Sequence, residues 1–121
     1  MSNLSDIPKT IFCDIDGTLV LHDGSFHPSL TSRMTPISGT VDKLREWCYK
    51  GYTIILTTGR KECLRLQTIG QLRDAGIPYD QLIMNVGRGV RVLINDRKPS
   101  GEDTAIAINL DRDSGIEKIN V

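Results

Sequence analysis

Apolar residues gather in short continuous runs, and longer segments with helical spacing separate these runs. Runs of roughly four to eight apolar residues bounded by turn residues are typical of buried β-strands. We therefore predict strands over about 10–14, 52–57, 81–84, 90–95 and 105–110. Strands that alternate with helices are typical of an α/β fold with a mainly parallel sheet. The pattern predicts one three-layer α/β/α, Rossmann-like domain that spans the chain of 121 residues.

Two helices are predicted between these strands. The first covers about 39–50, and its apolar stripe consists of Val41, Leu44, Trp47 and Cys48. The second covers about 61–75, and one of its faces carries Leu64, Thr68, Leu72 and Ala75. Gly51 and Gly76 follow the two helices, and glycine is a usual residue just beyond a helix C-terminus.

The segment between the first strand and the first helix predicts a β-hairpin flap over about 19–38. Asp23-Gly24 lies between two segments that carry apolar residues, and this dipeptide is a strong hairpin signal. The segment is far too short to fold into a domain of its own. We therefore predict a flap and no cap domain.

The most informative segment is 11–20, with the sequence Ile-Phe-Cys-Asp-Ile-Asp-Gly-Thr-Leu-Val. It places two carboxylates, Asp14 and Asp16, directly after an apolar strand that we expect to be covered on both faces. The ends of parallel strands are where such sheets bind ligands. Because two neighbouring negative charges repel each other, a divalent cation with oxygen ligands is their simplest partner.

This decapeptide resembles the signature of the haloacid dehalogenase superfamily of aspartyl phosphotransferases, in which Asp-x-Asp-Gly-Thr follows an apolar run. The resemblance implies that Asp14 is a nucleophile that forms an aspartyl-phosphate. Asp16 would protonate the leaving oxygen and then activate the water. A carboxylate oxygen of Asp14 and the carbonyl of Asp16 would bind Mg²⁺, and Gly17 would bring its N–H close to the phosphate. A second acid at this point implies a phosphatase, since relatives that only transfer phosphate in ion pumps carry Thr there.

Two further strand ends extend the resemblance. The strand over 52–57 is followed by Thr-Gly-Arg, and the alignment makes Thr58 and Gly59 the phosphate-binding residues. The predicted strand over 90–95 is followed by Asp96, which would complete the magnesium site. The resemblance therefore covers nearly the whole chain and implies a small capless member of the family.

The lysine that the family normally places just before its acidic strand is not found there. Arg88 is the nearest cation and we favour it, with Lys98 as the other option for the phosphate-binding cation, although Arg and Lys differ in geometry. Arg60 either reaches the substrate or pairs with an acid, and the sequence leaves both open. His22 and His27 in the flap make a poor metal site, and their contact with substrate is equally open.

Composition limits the classes of binding partner and the cellular location that we expect for this protein. Lys plus Arg equals Asp plus Glu, and aromatic residues are only 5% of the chain, which argues against a nucleic-acid surface. No apolar stretch has the length of a membrane span, and the first residues lack a signal-peptide core. Cys13, Cys48 and Cys63 lack Cys-x-x-Cys spacing, so we expect reduced thiols in or near the core of a cytoplasmic protein.

The leading hypothesis is a Mg²⁺-dependent phosphomonoester hydrolase acting on a sugar phosphate or a similar small metabolite. Small capless relatives are often oligomers whose subunits cover each other's sites, so the resemblance implies a homo-oligomer. One alternative is a phosphatase for nucleotides or polynucleotide ends, because an open site admits large substrates. Another is a non-catalytic phosphate-binding regulatory module, which the missing lysine favours and the two catalytic acids argue against.

Overall fold

Three parallel strands form the sheet of this protein in a computed structural model that describes residues 4–22 and 33–121. The strands are β1 (Thr10–Asp14), β2 (Thr53–Thr57) and β3 (Gln81–Ile83), and they lie in the order β1-β2-β3. All three fall within or beside the predicted ranges. The parallel sheet and the intervening helices place the chain in the α/β class, as the alternation of segments predicts.

Two helices connect the strands, and both are at their predicted positions. Helix α1 (Thr40–Tyr49) links β1 to β2, and helix α2 (Arg65–Asp74) links β2 to β3. Leu44 and Trp47 of α1 are buried, as the predicted stripe requires, whereas the stripe residue Cys48 is exposed. Two short 3₁₀ turns occur at Leu4–Asp6 and Glu62–Leu64.

The register of the sheet aligns the carboxyl ends of its strands. Asp14 of β1 lies opposite Thr57 of β2, and Thr57 lies opposite Ile83 of β3. Because parallel strands all end at the same edge of a sheet, the residues that follow them are brought together there. This edge is where the predicted site residues of the first two strands meet.

The hydrophobic cluster formed by the described residues lies between the sheet, the helices and the C-terminal segment. It includes residues from β1, from β2 and from the turn after β1, together with side chains of both helices. Its buried members are Cys13, Ile15, Leu19, Val20, Met34, Leu44, Trp47, Ile54, Leu56, Leu72, Ile77 and Ile116. The participation of Ile116 shows that the last part of the chain folds back onto the first strand and its turn.

The predicted strands over 90–95 and 105–110 are wrong, because neither segment forms a ladder in the structure. Apolar side chains in both are exposed, with Val90 93% and Ile106 70% exposed. An apolar run indicates strand propensity, but a strand forms only where a neighbouring strand supplies ladder hydrogen bonds. Local bonds hold this region instead, such as that from the Lys98 N–H to the Glu102 carbonyl at 2.9 Å.

The expectation that β1 is covered on both faces is also wrong. Cys13 is buried while Phe12, which points to the opposite side of the sheet, is 55% exposed. Within the described ranges, β1 is an edge strand and only one of its faces packs against the core. The apolar sequence alone does not distinguish a central strand from an edge strand.

The base of the predicted flap has antiparallel contacts. Val20 pairs with Pro36, and the Leu21 N–H donates to the Thr35 carbonyl at 2.9 Å. Asp23-Gly24 and His27 lie outside the described residues, so the predicted hairpin turn itself remains a prediction. The described part thus brings the two ends of the 19–38 segment together.

Two other expectations concern the cysteines and the membrane. All three cysteines are free thiols, as predicted, but Cys48 and Cys63 are exposed and are not core residues. Cys63 lies in the exposed 3₁₀ turn that precedes α2. Among the residues that the structure describes, no helix is both long enough and apolar enough to cross a bilayer.

Candidate active site

The turn after β1 brings a hydroxyl group to the carboxylate of Asp14. The backbone N–H groups of Thr18 and Leu19 donate to the Ile15 carbonyl at 3.2 and 2.9 Å, which closes the chain into a tight turn. The Thr18 hydroxyl then donates to Oδ2 of Asp14 at 3.2 Å. The Thr of the Asp-x-Asp-Gly-Thr motif therefore orients the predicted nucleophile.

The electrostatic surroundings of Asp14 act in opposite directions. Burial raises the pKa of Asp14 above its ordinary value, and the negative charge of Asp16 raises it further. The hydrogen bond from Thr18, the positive charge of Arg91 and the backbone N–H of Ile15 lower the pKa but do not cancel the effect of burial. The site therefore favours a group that compensates the negative charge of Asp14.

Asp16 is paired with Arg60, which is one of the two roles that the sequence leaves open for this arginine. Nε of Arg60 donates to Oδ2 of Asp16 at 3.0 Å, and Nη2 donates to Oδ1 at 2.8 Å. Such a two-point pair fixes the plane of the carboxylate as well as its position. In this structure Arg60 therefore binds the predicted general acid, and substrate contact by Arg60 stays a prediction.

Helix α2 holds the other side of the Arg60 guanidinium. Nη1 of Arg60 donates to the Thr68 hydroxyl at 3.2 Å and to Oε1 of Gln71 at 2.6 Å. The Arg60 side chain is only 8% exposed. These contacts fix the guanidinium between the helix and the turn after β1.

Thr58 and Gly59 lie at the end of β2, next to the first two acids. Thr58 is buried, and its hydroxyl accepts the backbone N–H of Arg60 at 3.1 Å, which leaves the hydroxyl proton available as a donor. The residue at 59 is glycine for a steric reason, because a Cβ there would lie 3.1 Å from the Gly87 carbonyl oxygen. Phosphate binding by Thr58 and Gly59 stays a prediction.

Gly17 has a backbone conformation that favours glycine, with φ of 85°. Its N–H donates to the Val20 carbonyl at 2.8 Å. That N–H is therefore already bonded within the turn, and the predicted contact between Gly17 and phosphate would require it to exchange partners. This contact also stays a prediction.

The C-terminal segment reaches the same turn, which the sequence analysis does not anticipate. The Asp113 N–H donates to the Gly17 carbonyl at 2.7 Å, and Oδ1 of Asp113 accepts the His22 N–H at 2.8 Å. The Arg112 side chain packs over Gly17, with Cγ 3.2 Å from the position that a Cβ would take. A contact between the two ends of a chain has no local sequence signal, although Asp-rich segments are typical of turns.

Arg91 is a second residue that the sequence analysis misses. Its positive charge lowers the pKa of Asp14, which is the effect expected of the cation assigned to Arg88 or Lys98. Lys98 instead lies in an exposed turn, in which the Gly101 N–H donates to the Lys98 carbonyl at 2.8 Å. The one available signal is a basic residue at the centre of an apolar segment, Val90-Arg91-Val92.

Asp96 lies in the irregular segment that replaces the predicted fourth strand. It lines a cavity of about 410 Å³ whose walls also include Asp103, Arg97 and Thr104. Nowhere in ranges 4–22 and 33–121 do three or more His, Cys, Asp or Glu side chains form a group that could hold a metal ion. The structure thus brings Asp14 and Asp16 together but does not add Asp96 to them, and its metal role stays a prediction.

Cys13 precedes the predicted nucleophile but is not suited to act as one. Burial raises the pKa of its thiol to about 12, and the neighbouring charge of Asp14 contributes to the increase. Since the thiolate is the reactive form of cysteine, a thiol with this pKa is inert near neutrality. The core position of Cys13 agrees with the expectation of a thiol in or near the core.

Comparisons with known proteins give likenesses to solved structures alone. No family model matches the chain, and no curated protein matches it. Among solved structures it is similar to a chain of a Pnkp1/Rnl/Hen1 complex, with 31% identity and a TM-score of 0.57 over 73% of this chain. A chain of the Pnkp1/Rnl/Hen1 RNA repair complex is similar over 69% of this chain, with 29% identity and a TM-score of 0.56.

This protein spans only 31% and 28% of the lengths of those two chains. The chain is also similar to a crystal structure of a protein from Vibrio cholerae, with a TM-score of 0.56. The match covers 93% of this chain and 90% of the Vibrio cholerae chain. At 19% identity this third likeness concerns the fold alone. The likenesses do not support the expectation that nucleic acid is an unlikely partner. Together with the motif after β1, they are consistent with a haloacid dehalogenase-like α/β fold.

Proposed function

We propose that this chain is a phosphomonoester hydrolase that works through an aspartyl-phosphate at Asp14. The observation that carries the proposal is the pair of carboxylates at the end of β1. Asp14 is oriented by the Thr18 hydroxyl, and Asp16 is held by the Arg60 guanidinium. Two acids with different partners suit two different tasks, one as nucleophile and one as acid and base.

In the first step, a carboxylate oxygen of Asp14 attacks phosphorus. A new bond forms between this oxygen and phosphorus, and the ester bond from phosphorus to the leaving oxygen breaks. Asp16 enters this step protonated and donates its proton to that oxygen, so the product leaves as an alcohol and Asp16 becomes the carboxylate that the Arg60 fork binds. The Thr18 hydroxyl directs the carboxylate of Asp14 during the attack. Thr58 follows Thr57, the β2 residue opposite Asp14, and we assign it as a hydroxyl donor to the phosphoryl group.

In the second step, water hydrolyses the aspartyl-phosphate. Asp16, now ionised, accepts a proton from the water, whose oxygen attacks phosphorus. The bond from phosphorus to the Asp14 oxygen breaks, which releases inorganic phosphate and restores the carboxylate. The Arg60 pair keeps the Asp16 carboxylate in place between the two steps.

The donor set at this edge fits Mg²⁺. Proteins usually hold Mg²⁺ through one or two carboxylates together with water and substrate phosphate rather than through a complete protein cage. The carboxylate of Asp14 and the carbonyl of Asp16 would hold it here, with Asp96 as the further predicted ligand. The raised pKa of Asp14 indicates a carboxylate whose negative charge lacks full compensation. When bound, the cation supplies that compensation and neutralises charge on the phosphoryl group.

For the substrate, we propose a sugar phosphate or a similar small phosphorylated metabolite. The chain is proposed to be a capless, cytoplasmic member of its class, in which a flap and a second copy of the chain cover the site. A homo-oligomer is the expected state on this proposal. Light scattering at micromolar concentration tests it, and a monomer across that range would reject the shared site.

A second candidate substrate is the phosphorylated end of a polynucleotide, or a nucleotide. The observation that favours it is the likeness to two chains of the Pnkp1/Rnl/Hen1 complex, at 31% and 29% identity. The second of these structures is described as an RNA repair complex. An open site without a cap is also compatible with a large substrate. Against it stand the zero net charge and the low aromatic content of the chain.

The experiment that tests the proposal measures phosphate release with Mg²⁺ and with EDTA. The panel holds sugar phosphates, nucleotides, 3′- and 5′-phosphorylated oligonucleotides and an aryl phosphate. We expect Mg²⁺-dependent release that Asp14→Asn abolishes and that Asp42→Asn, an exposed acid in the first turn of α1, preserves. Release that is equal in wild type and Asp14→Asn would reject the nucleophile. Phosphate binding without release from any ester would favour a regulatory binding module instead.

A further inference from the structure

The Arg60 guanidinium connects helix α2 to Asp16. Its Nε and Nη2 atoms donate to the two oxygens of Asp16 at 3.0 and 2.8 Å, while its Nη1 atom donates to helix α2. The helix supplies the Thr68 hydroxyl at 3.2 Å and Oε1 of Gln71 at 2.6 Å as acceptors. Asp16 and the helix are therefore held by opposite sides of one planar, rigid group.

This arrangement transmits the position of α2 to the carboxylate. The guanidinium is planar and its N–H groups form a fixed fork, so acceptors on one side determine the direction in which the other side points. The Arg60 side chain is 8% exposed, and Thr68 is completely buried. Water therefore has little access to replace Thr68 as an acceptor, and loss of its hydroxyl would leave part of the guanidinium without its partner.

We propose that Thr68 and Gln71 are positioning residues that hold Asp16, through Arg60, in the orientation from which it gives a proton to the leaving oxygen. This inference rests on the proposed phosphatase function. Thr68 and Gln71 both accept from Nη1 of Arg60, so the effect of these two contacts on Asp16 passes through the guanidinium.

The chemistry of the leaving group separates this role from a merely structural one. An alkoxide is a poor leaving group and requires a proton as its bond to phosphorus breaks, so it depends on the orientation of Asp16. A p-nitrophenolate is stable without that proton and depends on Asp16 much less in this step. A displaced Asp16 therefore slows alkyl ester cleavage selectively, whereas a loosened fold slows both esters equally.

The test compares kcat/KM for an alkyl phosphate and for p-nitrophenyl phosphate in wild type, Thr68→Val, Thr68→Ser and Gln71→Leu. General acid catalysis typically contributes at least 100-fold, so we expect Thr68→Val and Gln71→Leu to lose about 10-fold on the alkyl ester. On the aryl ester we expect a loss of about two-fold or less, because no proton is needed there. Thr68→Ser keeps the hydroxyl and should restore the wild-type ratio of the two esters.

Thr40→Val is the matched control. Thr40 is as buried as Thr68, and its hydroxyl donates to the Leu19 carbonyl at 2.7 Å, away from Arg60. Its loss should lower stability without changing the ratio of alkyl to aryl activity. An equal loss on both esters in Thr68→Val, or the same change of ratio in Thr40→Val, would overturn the inference while leaving the proposed function intact.

An NMR measurement tests the physical link without activity. The Nε–H of Arg60 donates to Asp16, so its ¹H–¹⁵N signal should be protected from exchange in wild type. We expect the protection to be lost in the double variant Thr68→Val with Gln71→Leu. Protection that persists there shows that α2 does not hold Arg60 and overturns the inference. If the wild-type protein cleaves neither ester, the proposed function is rejected, and the catalytic role of the contacts between α2, Arg60 and Asp16 is rejected with it.

Discussion

The backbone N–H of Asp113 donates a hydrogen bond of 2.7 Å to the carbonyl of Gly17. The same residue uses its carboxylate to accept the His22 N–H at 2.8 Å. Asp113 makes both contacts with φ of 65°, in the left-handed region that Asp and Asn adopt more readily than most residues. One residue near the C-terminus thus closes the turn that carries the two acids and the base of the flap.

Asp113→Ala should therefore destabilise the protein by about 1–2 kcal/mol, since it leaves the His22 N–H without its acceptor and puts alanine in a left-handed conformation. Asp113→Asn should cost less, because its amide oxygen still accepts and asparagine tolerates this conformation. Urea denaturation measures both. Asp111→Ala is the control, because the bond that Ser114 makes to Asp111 uses the carbonyl and not the side chain. Equal losses at positions 111 and 113 would contradict the assigned contacts.

Asp14→Asn should make the metal-free protein more stable at neutral pH. The pKa of Asp14 is raised in the folded state, chiefly by burial, so folding favours the protonated form of this acid. Ionisation of Asp14 therefore lowers the stability of the folded protein. This loss of stability is absent below the pKa that Asp14 has in the unfolded chain, grows as the pH rises through its pKa in the folded state, and is complete above that pKa. Melting temperatures in EDTA at several pH values measure this. The advantage of the asparagine variant should disappear on acidification.

A variant that is less stable than wild type at neutral pH would contradict this reading of Asp14. Asp42→Asn is the control, since this carboxylate is exposed in the first turn of α1. An acid at a helix N-terminus is favourable, so its loss should lower stability slightly rather than raise it.

Native protein treated with iodoacetamide near neutral pH should be labelled at Cys48 and Cys63 but not at Cys13. Burial raises the pKa of Cys13 to about 12, whereas the other two thiols are exposed. Mass spectrometry of the digested protein measures the label at each site. In denaturant all three should react. Labelling of Cys13 at the rate of the exposed thiols in native protein would show that β1 opens readily.

Arg91→Gln should reduce phosphatase activity by about 10-fold or more, because it removes a positive charge that acts on Asp14 and would act on the incoming phosphate. Arg88→Gln and Lys98→Gln are the matched comparisons, since each removes the same charge from the same segment. Arg91→Lys should keep much of the activity. A larger loss of activity in Arg88→Gln than in Arg91→Gln would favour Arg88 as the phosphate-binding cation, as the sequence analysis predicts.

The sequence predicts the parts of this protein whose signals are local. The apolar runs at β1 and β2 and the helical stripe of Leu44 and Trp47 depend on neighbouring residues, and all are found where they are predicted. Asp14 and Asp16 can be named as candidate site residues from sequence because their motif is continuous. The strand over 90–95 fails because its formation depends on a partner strand that no local pattern specifies.

The remaining site residues depend on contacts that are distant in sequence. Arg60 could have bound substrate or an acid, and only the fold shows that Asp16 occupies its fork while Thr68 and Gln71 fix its other side. Asp113 contacts the turn after β1 because the C-terminal segment returns to it. Patterns of apolar and polar residues carry no information on such pairings.

The exposed side of β1 has a consequence for the handling of the protein. Across the described ranges no strand pairs with the outer edge of β1, and Phe12 on this strand is 55% exposed. An open edge presents unpaired main-chain groups to other molecules, and exposed apolar segments such as that around Val90 and Val92 are suited to associate with it. Turbidity should therefore rise steeply with protein concentration at temperatures well below melting. The strand that ends in the two carboxylates also limits how long a concentrated solution stays clear.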